Sequence, residues 1–334
     1  MPAPDVTAGF SLVEAPFPFS AVAVLANSGS DGELNIRVSA DGREWSSPTR
    51  VPDDEPNPPL DERGRAHAFA LDRVSSLYFP RSDPGAPARF LAFEFAHARN
   101  PPARVIVHFI DAGASPEPRP RARAADADHP LKPPLVSRAA WGARPPRYPY
   151  TLTLANHLAI HHTAGVSDGA AATTEECAAQ VRAIQAFHQD TREWNDIGYS
   201  YLICGTGEVF QAREDDDDAT DVWGAHDGFN RGSMSVSLMG YFHPPYNQVP
   251  AAPMLDSLVR TLSWMADIRA VDPLDSSLYA AFGAVRTHIY GHREVRATDC
   301  PGDVVFAMKD SLRLAVAATL DQYRNPATAP VRRR

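Results

Sequence analysis

The sequence predicts an α/β protein of two domains, in which a small all-β, sandwich-like domain precedes a mixed central β-sheet flanked by helices. The length of 334 residues is sufficient for two domains that each bury a core. Strand-like patterns dominate residues 1–112, whereas strand-like and helix-like segments alternate over residues 135–325. Residues 113–134 are rich in Ala, Pro and Arg and are predicted to be a semi-extended linker, and residues 326–334 a frayed tail.

The first domain is predicted to be a β-sandwich or jelly-roll. Apolar and polar residues alternate over 34–38, and this run leads into Asp41-Gly42, a pair suited to a tight hairpin turn. Residues 90–95 and 104–110 have the β-branched and aromatic character of further strands. No function is predicted for this domain, because β-sandwiches serve many roles.

The second domain opens with a short apolar run of strand character at 154–161. Residues 173–176 have the capping-box pattern of a helix start, and that helix is predicted to continue to about Gln189. Cys177 and His188 fall on its apolar face, so core packing explains both. The remaining predicted elements are a hairpin, a strand and two helices, at 199–212, 235–241, 254–269 and 304–320.

Charge and hydropathy exclude two classes of partner. The formal net charge of -9, without a clustered basic face, argues against nucleic acid. No apolar run approaches the length that crosses a bilayer, and residues 21–26 are too short even for the core of a signal peptide. A monomer is expected.

The cysteine count allows at most one disulfide bond. Cys177, Cys204 and Cys300 include at least one thiol outside any bridge. Cys177 lies in the predicted helix and Cys204 in the first strand of the predicted hairpin, and both are expected to be small buried apolar residues. The neighbouring residues suggest a role in metal binding only for Cys300.

Three polar positions follow apolar elements of the second domain and carry metal-ligand side chains. A catalytic zinc ion needs three protein ligands and one open position, and His161, His292 and Cys300 meet that requirement. A structural zinc protein is an alternative, but structural sites favour four protein ligands and only three are found. From the residues alone, His162, Asp196, His288 and Arg293 are expected to have structural roles.

Short motifs occur in a fixed order along the second domain, together with Asn230. They are RAAWGA, IHHT, WNDIGYS, GTGEVF, GAH, GHREV and TDCPGD, at 138–143, 160–163, 194–200, 205–210, 224–226, 291–295 and 298–303. In order and spacing, over about residues 136–320, they resemble the peptidoglycan recognition proteins and the related bacterial and phage N-acetylmuramoyl-L-alanine amidases.

The resemblance implies an enzyme site. The family's zinc ligands correspond to His161, His292 and Cys300, its catalytic tyrosine to Tyr199, and its variable lysine-or-threonine position to Thr298. Members that only bind peptidoglycan lack the ligand cysteine, so Cys300 favours an enzyme over a binding module. The implied activity is zinc-dependent hydrolysis of the amide between N-acetylmuramic acid and the L-alanine of the stem peptide.

The resemblance also implies substrate contacts. His226 and Asn230 correspond to groove residues that contact the peptide stem, and Trp194 and His162 are further candidate contacts. Glu193 precedes Trp194 where many members that bind diaminopimelate stems have glycine, so stem preference is not predicted. The expected partner is bacterial peptidoglycan or its muropeptides.

Two further features of the family bear on location. No second cysteine stands near Cys177, so the bridge that many members carry near the first helix is expected to be absent, as in bacterial members. The substrate implies a secreted, periplasmic or wall-associated protein. The alternative is a cytoplasmic recycling amidase that acts on anhydro-muropeptides, but that subgroup uses aspartate as its third ligand.

Overall fold

The computed structural model describes residues 9–27, 29–53, 73–81, 87–113, 129–167, 171, 173–213, 221–222, 224 and 228–325. Most of the predicted linker and all of the predicted tail lie outside these residues. Within the described ranges, no helix has both the length and the apolar character needed to cross a membrane.

The first domain is a β-sandwich, as predicted. Its strands are β1 (Ser11–Glu14), β2 (Ala21–Ala26), β3 (Glu33–Ser39), β4 (Thr49–Arg50), β5 (Arg73–Val74), β6 (Tyr78–Phe79), β7 (Phe90–Ala96) and β8 (Val105–Ile110). One sheet has the order β1-β7-β3-β4, and the other contains β6-β2-β5 with β8 paired to β2. Leu34 and Ile36 of β3 are buried in the core between the sheets, which confirms the predicted alternation.

The predicted tight turn at Asp41-Gly42 is wrong. Strands β3 and β4 pair antiparallel, but residues 40–48 connect them as a longer loop. The carboxylate of Asp41 accepts hydrogen bonds from the backbone N–H groups of Arg43 and Glu44 at 2.8 and 3.0 Å, which stabilises this loop. An aspartate whose side chain accepts hydrogen bonds from the next backbone N–H groups occurs in turns of several lengths. The Asp41-Gly42 pair therefore did not determine the length of the loop.

The second domain is a mixed sheet between helices, as predicted. Its strands are β9 (Leu135–Val136), β10 (Leu152–Thr153), β11 (His157–His162), β12 (Val166–Ser167), β13 (Tyr201–Ile203), β14 (Val209–Gln211), β15 (Asp221–Val222), β16 (Ser233–Leu238), β17 (Ser276–Tyr279), β18 (Ala284–Thr287) and β19 (Ile289–Gly291). Its α-helices are α1 (Arg138–Trp141), α2 (Thr174–Ala186), α3 (Ala252–Ile268), α4 (Asp303–Ala307) and α5 (Lys309–Arg324). The central sheet has the order β19-β11-β16-β13-β14-β9, and its first four strands are parallel.

Helices cover both faces of this sheet. Helix α2 packs on one face, and α3 and α5 pack on the other. The predicted capping box is present, since the Thr173 hydroxyl accepts from the Glu176 N–H and the Glu176 carboxylate accepts from the Thr173 N–H. After Ala186 the helix continues as one π-helical turn, Phe187–Thr191. The predicted hairpin is formed by β13 and β14, and the predicted last helix is divided at Met308 into α4 and α5.

The two domains share a core. One apolar cluster contains Ala21, Leu25 and Ile110 of the sandwich together with Val181 and Ile184 of α2. Strand β12 of the second domain pairs in parallel with β6 of the sandwich and thereby extends the sandwich sheet. Helix α2 is therefore buried between the sandwich and the central sheet.

A buried arginine strengthens this interface. Arg182 of α2 is 7% exposed and donates hydrogen bonds to the carbonyl oxygens of Ala112 at 2.6 Å, Gly113 at 2.9 Å and Trp141 at 3.0 Å. A buried guanidinium is stable only when its donors are satisfied in this way. The end of the sandwich is thus attached to the centre of α2.

The expectation that Cys177 has no disulfide partner is wrong, because it forms a disulfide bond with Cys204, although both cysteines are buried as expected. Cys177 lies in the first turn of α2 and Cys204 directly follows β13, the strand beneath that helix. Their Cα atoms are 6.0 Å apart, within the usual range for a bridge. The two positions are separated by 27 residues in sequence, and only the packing of helix on strand brings them together. Cys300 is buried and lies outside the bridge.

Candidate active site

Two histidines are placed side by side by the register of parallel strands. Ile160 of β11 is the register partner of Gly291 of β19, so His161 and His292, which follow them, lie next to each other at the carboxyl edge of the sheet. Their ring centroids are 4.5 Å apart. Both side chains are buried, with 2% and 5% exposure.

Cys300 completes a cluster of three metal-ligand side chains. Its Sγ atom lies 3.4 Å from Nδ1 of His161 and 3.4 Å from the backbone nitrogen of His162, which donates to it. One potential ligand atom from each of His161, His292 and Cys300 lies within 4.8 Å of the other two. A tetrahedral zinc ion with bonds of about 2.0–2.3 Å separates its ligand atoms by roughly 3.3–3.8 Å. Two imidazoles and a thiol in this arrangement fit zinc.

The loop that carries Cys300 is fixed by charged neighbours. Arg293 forms an ion pair with Asp303 at 2.7 Å and donates to the backbone oxygen of Asp299. His243 lies 3.2 Å from the carboxylates of both Asp299 and Asp303. The hydrogen bond from Arg293 lowers the pKa of Asp303, so the carboxylate remains charged. The structural role predicted for Arg293 is confirmed by these contacts.

Gly302 allows this loop to turn back onto the sheet. Its φ is 88°, in the left-handed region that favours glycine. A Cβ atom at this position would lie 2.6 Å from the backbone of Phe242. The TDCPGD motif therefore needs glycine at this point for the cysteine loop to close.

Tyr199 and Thr298 border the ligand cluster. The Tyr199 ring centroid is 5.5 Å from that of His161, and its hydroxyl lies 3.5 Å from the carbonyl oxygen of His162. The Thr298 hydroxyl accepts a hydrogen bond from the backbone N–H of Cys300 at 3.1 Å. Both side chains are only partly buried. The structure thus brings both predicted catalytic residues to the three predicted ligands.

A second aromatic layer supports Tyr199. The ring of His188 lies 5.8 Å from Tyr199 on one side and 4.5 Å from Trp194 on the other. Nδ1 of His188 accepts a hydrogen bond from the Gly198 N–H at 3.1 Å, and burial lowers the pKa of His188 well below its usual value. The core position predicted for His188 is confirmed, but its contact with Tyr199 was not predicted. Helical periodicity shows which face of a helix is buried and does not show what it touches.

His162 faces away from the cluster. Successive side chains of a strand point to opposite faces, and the His162 ring packs against Tyr241 at 5.9 Å and Phe242 at 6.2 Å. Burial lowers the pKa of His162 to about 3, so the imidazole is neutral. This position supports a structural role rather than the predicted substrate contact. Its backbone, by contrast, contacts Cys300 and Tyr199.

The remaining substrate candidates differ in how far the structure describes them. Trp194 is partly exposed beside His188, at the edge of the site. Asn230 is fully buried before β16, and its contact with a stem peptide stays a prediction. His226 lies outside the described residues.

The second domain is similar in sequence to known amidases and recognition proteins. A family of N-acetylmuramoyl-L-alanine amidases matches residues 152–303. Peptidoglycan-recognition protein SC1a/b of Drosophila simulans is 34% identical over 172 residues, which cover 50% of this chain and 80% of that protein. The N-acetylmuramoyl-L-alanine amidase of Mus musculus is 33% identical over 182 residues, or 52% of this chain and 30% of that protein.

Among solved structures, wild-type Drosophila PGRP-LB covers 53% of this chain and 92% of its own, with 32% identity and a TM-score of 0.43. The sequence relatives named above include both recognition proteins and amidases. The chain belongs to the family of peptidoglycan recognition proteins and N-acetylmuramoyl-L-alanine amidases.

Proposed function

We propose that this protein is a zinc-dependent N-acetylmuramoyl-L-alanine amidase, which hydrolyses the amide between the lactyl group of N-acetylmuramic acid and the L-alanine of the stem peptide. The observation that carries the proposal is the buried cluster of His161, His292 and Cys300, whose ligand atoms lie within 4.8 Å of one another. Three ligands leave one tetrahedral position open, as catalytic zinc sites require.

The protein groups around the cluster suit the zinc ion. When bound, zinc lowers the pKa of a water molecule toward neutrality and so supplies the nucleophile. The N–H of His162 donates to Sγ of Cys300 at 3.4 Å, which favours the thiolate over the thiol. Thr298 accepts from the N–H of Cys300 and fixes the backbone of the same residue.

Tyr199 is positioned to assist hydrolysis. Its partly exposed phenol lies beside His161, where the carbonyl group of the substrate would be attacked. A hydroxyl there can donate a hydrogen bond to the carbonyl oxygen as negative charge develops, and such a donor contributes up to about 4 kcal/mol. His188 and Trp194 pack behind the ring and limit its movement.

The substrate and the compartment follow from the same proposal. Relatives are named as peptidoglycan-recognition proteins, and we propose peptidoglycan or its muropeptides as the substrate. The Cys177–Cys204 bridge is typical of proteins that work in an oxidising compartment, which supports a secreted, periplasmic or wall-associated location.

The test combines metal analysis with product analysis. Purified protein should contain one zinc ion per chain by elemental analysis. Mass spectrometry of digested peptidoglycan should show free stem peptides with a new amino terminus on alanine, together with intact glycan strands. New reducing sugar ends would indicate a glycosidase. Binding to peptidoglycan without zinc and without stem release would indicate a recognition module.

A further inference from the structure

The sandwich and the second domain enclose an open cleft beside the end of α2. A cavity of about 520 Å³ lies between β8 and the π-helical turn, with Phe17 and Phe109 on the sandwich side and Arg144 and Asp190 opposite. A second cavity of about 570 Å³ is also lined by Arg144 and Asp190, together with Arg147 and Glu193. The two cavities share the Arg144–Asp190 ion pair in their linings, so they adjoin each other there, and together they are called the interdomain cleft.

The walls of the interdomain cleft are held at a fixed separation. His108 of β8 and Thr191 of the π-helical turn share a hydrogen bond of 2.8 Å between Nδ1 and Oγ1. The backbone N–H of Arg144 donates to the side chain of Gln185 at 2.9 Å, which attaches the second wall to α2. The shared apolar core lies beneath both walls. A ligand would therefore meet a preformed site, which lowers the entropic cost of binding.

One end of the interdomain cleft lies near the active site. Glu193 lines its far end, and the next residue is Trp194. The ring of Trp194 packs at a tilt against His188 with the centroids 4.5 Å apart, and the ring of His188 lies 5.8 Å from that of Tyr199. A chain lying in the cleft would thus have one end at the sandwich and the other near Tyr199.

The lining combines apolar and charged groups. Phe17 is 37% exposed, although it is a large apolar side chain. The Arg144 and Asp190 side chains pair at 2.7 Å but remain 47% and 59% exposed, so each can accept a further partner. Exposed Arg147 supplies another cation, and Glu193 another carboxylate. Cations, carboxylates and an aromatic surface together complement a peptide that carries free carboxylates and an amino group.

We infer that the interdomain cleft binds a second peptide stem, the one cross-linked to the stem whose amide is cut. This inference rests on the proposed function, because it assigns the cleft to the same polymer. The stem being cut occupies the site at Tyr199, and its cross-linked neighbour extends past Glu193 toward Phe17. The sandwich would then add affinity for cross-linked polymer and none for a single muropeptide.

The test compares a polymeric ligand with a monomeric one. The full chain and the variants Phe17→Ala and Arg144→Gln are titrated against cross-linked sacculi by co-sedimentation, and against a soluble disaccharide-tetrapeptide by calorimetry. Arg50→Gln is the matched control, since the Arg50 side chain is also 47% exposed in an ion pair, with Glu33, but lies on β4 outside the cleft. Thermal unfolding checks the fold of each variant.

Each cleft variant should bind sacculi about tenfold more weakly, while its affinity for the monomer stays within about twofold and Arg50→Gln matches wild type. Unchanged binding to sacculi, or equal weakening for both ligands, would overturn the inference. Stem release is measured separately. If wild type releases no stems but the cleft variants still lose binding to sacculi, the amidase proposal fails and the cleft assignment stands. If release is normal and binding to sacculi is unchanged, only the cleft assignment fails.

Discussion

The substitution Tyr199→Phe distinguishes a catalytic phenol from a packed aromatic residue. Phenylalanine keeps the ring and its contacts with His161 and His188, and it removes only the hydroxyl. That hydroxyl lies 3.5 Å from the carbonyl oxygen of His162, beyond the usual O–H···O range of about 2.5–3.0 Å. The lost contact should therefore cost less than about 1 kcal/mol of folding free energy.

The effect on catalysis should be larger. Loss of one donor to a developing oxyanion lowers kcat by about 10-fold to 1000-fold, which is about 1.4–4 kcal/mol of activation free energy. The group would act mainly in the transition state, so KM should change by less than about threefold. Stem release is followed by chromatography over a range of muropeptide concentrations, with zinc content and thermal unfolding measured on the same preparation.

Tyr201→Phe is the matched control. Tyr201 follows two residues later but packs against Trp264 in the core on the α3 side of the sheet, and its substitution should leave kcat unchanged. A Tyr199→Phe variant with the wild-type rate would refute the catalytic assignment. A rate that falls only in proportion to lost stability or lost zinc would refute it as well.

Three other predictions follow from named contacts. Cys300→Ser should lose zinc and reduce stem release to background, because a hydroxyl is a far poorer zinc ligand than a thiolate. Its affinity for muropeptide should stay within about tenfold of wild type, or 1.4 kcal/mol. Elemental analysis, chromatography and calorimetry measure these three properties, and retained zinc with retained stem release would remove Cys300 from the site. Replacing Cys177 and Cys204 by alanine opens a loop of 27 residues and should lower the free energy of unfolding by about 3–4 kcal/mol, with zinc content unchanged. Denaturant titrations measure this change, and an unchanged unfolding midpoint would contradict the disulfide bond. Burial lowers the pKa of His157 to about 4, so below pH 6.5 the unfolded chain binds a proton that the folded protein does not. The free energy of unfolding should therefore fall between pH 6.5 and 4, by up to about 1.4 kcal/mol per pH unit. His157→Asn should weaken this pH dependence in denaturant titrations, and a variant with the wild-type pH profile would argue against the role of His157.

The two histidines of the proposed metal site were predictable because each stands next to a feature that the sequence shows. His161 ends an apolar strand and His292 follows a second one, and parallel strands place such positions at the same edge of a sheet. The position of Cys300 depends on a loop that folds back onto the sheet, and only the resemblance to a family linked it to the histidines. The His162 ring points away from the cluster, as strand alternation requires once His161 is known to face the cluster.

Features that depend on packing between distant segments were not predictable. Cys177 and Cys204 have ordinary positions in a helix and after a strand, and nothing local shows that α2 lies over the end of β13. The pairing of β12 with β6 joins two-residue strands from different domains, and such short strands have no periodicity to detect. The core that the sandwich shares with α2 and the central sheet was also not predicted. Alternation shows that one face of a strand is buried, but it does not show which element covers that face.

Zinc held by His161, His292 and Cys300 should be required for amide hydrolysis. The most direct measurement removes zinc with a strong chelator, returns it in steps, and follows bound zinc and released stem peptide in the same samples. Stem release should be at background in the zinc-free protein and should rise in proportion to occupancy up to one zinc ion per chain. Full stem release from protein without zinc would show that hydrolysis does not need the metal.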